Sequence, residues 1–176
     1  MIGENDNLVF PPNASGFFSK GAEIFTKVDW SEFEKHCKLV DAQTDYTLKF
    51  LLRRKLEDNH SYHEAIFLTP ENKGLFVFVN KFYPFIAISQ SLMPLTEELS
   101  EKEGLPDNEF INHQELASVF EPVFTVISKE VLTKKLDADD EIASKYVQQL
   151  TFHEFAEFAY WEPRIMANIL FNKWKK

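Results

Sequence analysis

Thiols are nearly absent from this chain. Cys37 stands alone among 176 residues, which excludes an intramolecular disulfide framework and a multi-thiolate metal site. Glycine is scarce as well. Gly3, Gly16, Gly21, Gly74 and Gly104 are scattered, so no glycine-rich loop of the common nucleotide-binding kind exists. Positive charge is in deficit, with 19 Lys+Arg against 28 Asp+Glu and a net charge of -9. That balance disfavours general binding to a phosphate backbone and makes a cationic partner the electrostatic counterpart. The longest apolar runs, such as 75–79 and 85–88, are far shorter than a bilayer span. Residues 1–12 carry Glu4 and Asp6 and show no basic region leading into an apolar stretch, so a secretory signal is not expected. With a lone thiol, a cytoplasmic location is the expectation.

Phenylalanine, in contrast, is abundant, with 18 Phe against 5 Tyr and 3 Trp. Much of it falls in three short runs, 65–68, 75–79 and 85–89, which also hold Val and Ile and are separated by turn-forming segments. These read as strands of an antiparallel sheet. In the second run Leu75, Val77 and Val79 point one way and Phe76 and Phe78 the other. Both faces are apolar, so this strand is expected to lie centrally and be covered on both sides. The segment 46–56 fits strand or helix, with strand favoured. A helix is expected over 28–40, capped by Asp29 or Ser31, with Trp30, Phe33, Cys37 and Val40 on its apolar face.

Beyond Met93 the pattern turns helical. Helices are expected over 94–103, over much of 112–135 with a break at Glu121-Pro122, and over 139–150. Thr151 and Glu154 stand at capping-box spacing before a segment with Phe152, Phe155, Ala156 and Ala159 on one side. Pro163 suits the first turn of a final helix burying Ile165, Met166, Ile169, Leu170 and Trp174. Residues 1–16 form an irregular lead-in. The expected architecture is a single α+β domain: a central antiparallel sheet of three to five strands packed by helices, with a mainly helical C-terminal half.

Candidate chemistry is thin. His60 and His63 form a close pair among five histidines, but zinc needs a third ligand from elsewhere. Cys37 lies on the apolar face of its helix and reads as a buried structural thiol. No nucleophile elbow, zinc-protease helix or calcium loop is present, and no cofactor is expected. The acidic runs are more informative. Glu97, Glu98, Glu101, Glu103, Asp107 and Glu109 are offset only by Lys102, and Asp137-Ala138-Asp139-Asp140-Glu141 follows later. Such runs either coat a solvated helix end or steer a basic protein into contact.

The segments Leu150-Thr151-Phe152-His153-Glu154-Phe155, Tyr160-Trp161-Glu162-Pro163 and Leu170-Phe171-Asn172-Lys173-Trp174 carry a resemblance. They resemble the ending of small bacterial immunity-type proteins of polymorphic toxin and contact-dependent growth-inhibition systems. There, a Tyr-Trp-x-Pro turn leads into a helix finishing Phe-Asn-x-Trp. The likeness covers about the last 25 residues. Here Met166 follows Ile165 and Lys175 follows Trp174, where the family ending has glycine and an acidic residue.

The resemblance implies a non-enzymatic bacterial protein that binds and neutralises a cognate toxin, often a nuclease, in the cytoplasm of the producing cell. Nucleic acid and membrane are not expected partners. Charge assigns the expected partner contacts to Glu97, Glu98, Glu101, Glu103, Asp139, Asp140 and Glu141. The alternatives are a metal-dependent hydrolase with a distributed site including His60 and His63, and an intracellular scaffold or accessory subunit.

Overall fold

The computed structural model describes residues 13–16, 28–55, 60–94, 108–136, 147–148 and 150–172. The expected helix over 94–103 beyond Pro94, most of that over 139–150, and Trp174 lie outside these residues. An α+β fold is built on one sheet. Strands β1 (Thr47–Leu52), β2 (Tyr62–Leu68), β3 (Lys73–Asn80) and β4 (Phe85–Pro94) form an antiparallel meander. Leu51 stands opposite Ala65, Ala65 opposite Val77, and Val77 opposite Ile88. The fourth strand also pairs with β5 (Asn108–Phe110), antiparallel, and with β6 (Thr125–Val126), parallel.

The third strand is central and covered on both faces. Leu75, Val77 and Val79 pack with Phe33, Cys37 and Val40 of helix α1 (Trp30–Gln43) and with Leu116, Ala117 and Phe120 of α2 (Gln114–Phe120). Phe76 and Phe78 pack on the other side with Tyr62, Ile66 and the C-terminal residues Met166, Ile169 and Phe171. The alternation of β3 therefore serves two separate apolar layers, and the phenylalanine excess is largely core material. Asp29 caps α1, its Oδ1 accepting from the Ser31 N–H at 2.8 Å. Burial pushes the Cys37 thiol above its usual range, so the cysteine is a packing residue without thiolate character.

Two helical expectations are corrected. The segment 112–135 holds two short helices, α2 and α3 (Lys129–Leu132), with β6 between them. Phe124, Thr125, Val126 and Ile127 have strand propensity, and the N–H groups of Thr125 and Ile127 find the carbonyls of Pro84 and Ile86. Sheet edge thus wins over local helix.

Helix α4 (Phe152–Trp161) starts with the expected capping box, Thr151 and Glu154 each serving the other's backbone N–H. Phe152, Phe155, Ala156 and Ala159 share one side, as expected, and that side is exposed, while Glu154 and the half-buried Phe158 face in.

The final helix, α5 (Ala167–Leu170), begins beyond Pro163. Residues 164–166 instead pair with 134–136, the Leu136 N–H donating to the Arg164 carbonyl and the Met166 N–H to that of Lys134. That pairing holds the backbone extended where a helix would otherwise start. Ile165 is half-buried, and Met166, Ile169 and Leu170 are buried as expected.

Candidate functional site

All seven residues singled out by charge, Glu97, Glu98, Glu101, Glu103, Asp139, Asp140 and Glu141, fall outside the described residues. Among the described residues acidic groups converge elsewhere, at a cleft joining three separate segments. Tyr46 lies between α1 and β1. Glu71 sits on the turn between β2 and β3, where the Thr69 N–H donates to the Lys73 carbonyl and Asn72 takes a left-handed φ of 62°. His113 caps α2 with its Nδ1 and places Glu115 in that helix's first turn.

The cleft encloses roughly 300 Å³ and is walled by Asp45, Tyr46, Glu71, Gln90, His113 and Glu115 among others, with no lysine or arginine in its walls. Tyr46 organises it. Its hydroxyl donates to Glu115 Oε2 at 2.9 Å and lies 3.2 Å from His113 Nε2. Since His113 Nδ1 accepts from the Leu116 N–H, the ring proton belongs on Nε2, which then donates to the tyrosine oxygen. Burial, the Glu115 hydrogen bond and the charges of Glu115, Glu71 and Asp45 push the Tyr46 hydroxyl up to about 12. It therefore stays protonated and donating at neutral pH. The arrangement is suited to receiving a cationic side chain, since guanidinium and ammonium groups bring only donors to these carboxylates.

His60 and His63 are placed differently from a metal site. The His63 ring meets Trp30 edge-on at 5.1 Å, and its Nδ1 accepts from the Arg54 N–H at 3.1 Å. The His60 ring lies 5.4 Å from that of Tyr62. Lys81, Arg53 and Arg54 act on His63 as positive charges, a setting that repels a divalent ion. Among the described residues no three His, Cys, Asp or Glu side chains gather as a metal site. Lys81 is itself buried and donates to the Lys55 carbonyl.

Burial and these cations push His63 down from 6.5 to about 4. Between those values the unfolded chain binds a proton that the folded chain excludes, so stability falls as pH drops through that window and levels off below it. We expect a loss on the order of 2 kcal/mol between pH 7 and pH 4.5 from this group. Urea denaturation of the wild type and His63→Gln at both pH values checks it. An equal pH dependence in the two proteins would show that His63 is not responsible.

Among the residues matching the immunity-type ending, Glu154, Leu170, Phe171 and Asn172 are buried, whereas Phe152, Phe155 and Tyr160 are exposed. Trp161 donates from Nε1 to Glu157, and Glu162 closes α4 in a left-handed conformation with φ 46°. Asn172 is buried, its amide donating to the Ser15 and Ile169 carbonyls. The cleft residues escaped sequence reasoning because Asp45, Glu71 and Glu115 lie far apart in the chain. No local pattern announces them. Comparisons with protein-family models, curated proteins and solved structures find no match to this chain.

Proposed function

We propose that this chain is an immunity protein, binding and neutralising a cognate bacterial toxin domain through an acidic surface without catalysing a reaction. A cationic nuclease is the toxin type that suits it. The observation carrying this reading is the cleft lined by Asp45, Glu71 and Glu115 around a donating tyrosine, with no lysine or arginine in the walls. A basic side chain entering there meets three carboxylates at once, and the overall charge of -9 extends the attraction to longer range. The resemblance of the C-terminal segments to immunity-type proteins points the same way. The acidic runs containing Glu97, Glu98, Glu101, Glu103, Asp139, Asp140 and Glu141, read from the sequence alone, are the other proposed partner contacts.

Co-expression with the product of the neighbouring upstream gene tests the function. Loss of that product's toxicity, together with a stable purified complex, is the expected result. A neighbour that is no toxin, with no basic protein co-purifying, would end this reading.

The contribution of the cleft is separable. Asp45→Asn, Glu71→Gln and Glu115→Gln combined should slow association by about tenfold at low salt and less at high salt, leaving the fold unchanged. Stopped-flow association kinetics provides the measurement. A rate independent of this triple substitution would move the contact to the acidic runs, where reversing Glu97, Glu98 and Glu101 to lysine is the corresponding test.

A further inference from the structure

Among the described residues nothing covers the outward face of α4. Phe152 is 81% exposed, Phe155 49% and Tyr160 76%, and Ala156 and Ala159 between them are exposed as well. These positions follow i, i+3, i+4, i+7 and i+8, so they form one continuous stripe. Scattered exposed apolar residues are ordinary, but a contiguous aromatic stripe marks a contact surface.

Rotation of the helix could have buried it. Glu154 prevents that: its carboxylate accepts from Ser15 Oγ at 2.6 Å and from the Thr151 N–H and hydroxyl at 3.1 Å, and it is only 1% exposed. A buried carboxylate thus holds the aromatic side towards solvent, because turning the helix would break its bond to Ser15, which lies in another segment, and carry the charge out of its buried site.

We propose that this stripe docks an amphipathic, lysine- or arginine-bearing segment of another protein. Charge complementarity selects that occupant. No lysine or arginine occurs from Phe152 to Pro163, and Glu157 and Glu162 accompany the aromatic side chains. Aromatic faces attract cations, and tyrosine and phenylalanine supply large contact area at little entropy cost. A second copy of this chain would oppose -9 to -9, and an anionic lipid surface would meet a helix without basic residues. The proposal deepens the immunity reading by naming the partner's contacting chemistry, and it rests on that reading for the identity of the partner.

The test uses the full chain and a synthetic helical peptide of about 18 leucine and lysine residues, the leucines on one face. A matching leucine–glutamate peptide and phosphatidylcholine–phosphatidylglycerol vesicles are the controls. Titration calorimetry should show the lysine peptide binding the wild type. Phe152→Ala with Tyr160→Ala should weaken it about tenfold or more, and so should Ala156→Lys with Ala159→Lys, which places like charge in the stripe. Unaltered binding by both variants overturns the proposal. So does equal binding of the glutamate peptide, or stripe-dependent binding to vesicles or self-association. The peptide result stands apart from toxin neutralisation, so failure of the immunity reading leaves this surface separately decided.

Discussion

Replacing Asn80 with alanine is expected to destabilise the fold by about 3–5 kcal/mol, because one buried amide joins three chain segments. Asn80 ends β3 and is fully buried. Its Nδ2 donates to the Ala14 carbonyl at 2.8 Å and to the Leu170 carbonyl at 2.6 Å. Its Oδ1 accepts from the N–H groups of Phe82 at 2.9 Å and Tyr83 at 3.1 Å. Alanine removes all four bonds. Leu170 retains a donor in Ser61 Oγ, so the main penalty falls on the Ala14 carbonyl, about 1–3 kcal/mol for a buried group left unpaired, and the lost bonds to the Phe82 and Tyr83 N–H groups add to it. Urea denaturation should show a large drop in midpoint at an unchanged slope. A midpoint close to wild type would show that the amide does not tie these segments together. Asn80→Asp should not rescue, since it keeps the acceptor but loses both donors and buries a charge.

Phe78→Ala is expected to cost a similar 3–5 kcal/mol through a different cause, the cavity left in a close-packed layer. Phe78 is fully buried. Its ring meets Tyr62 edge-on at 5.2 Å, stacks on Phe76 at 6.4 Å and tilts against Phe171 at 6.4 Å. It is therefore one of the points where the sheet grips the C-terminal segment, beside the Asn80 and Ser61 bonds to Leu170. Phe78→Leu should recover much of the loss, because it restores apolar volume without restoring the ring contacts. Phe152→Ala is the natural contrast: the same chemical change at an 81% exposed position should alter stability by less than about 0.5 kcal/mol. Thermal and urea unfolding of these variants distinguishes core aromatics from stripe aromatics directly. A large destabilisation by Phe152→Ala would show that α4 is anchored by its outer face.

The comparison of those two phenylalanines explains what was legible in the sequence. The strands around 65–68, 75–79 and 85–89 were readable because β-branched and aromatic residues alternate within bounded runs, and a period of two has only one geometric meaning. The Asp29 cap and the Thr151–Glu154 capping box were readable because caps act over two or three residues.

The orientation of α4 was not readable. Its apolar periodicity specifies a stripe but not which way the stripe faces. Ser15, far away in the chain, reaches Glu154 and settles that rotation. Residues 125–127 were likewise decided from outside, by the carbonyls of Pro84 and Ile86 at the start of β4, which accept from Thr125 and Ile127.

The candidate site follows the same division. Acidic runs are visible as runs, whereas the cleft assembles Asp45, Glu71 and Glu115 from three separate turns and helix ends. Charge balance, the lone thiol, the two-faced central strand and the helix caps are properties of short stretches, and local chemistry alone determined them. The register of the meander, the outward aromatic stripe, the buried amide hub at Asn80 and the convergence of carboxylates on Tyr46 depend on contacts between distant segments. Only tertiary packing decides those, because each requires a hydrogen-bond partner or apolar surface that its own neighbours in sequence do not supply.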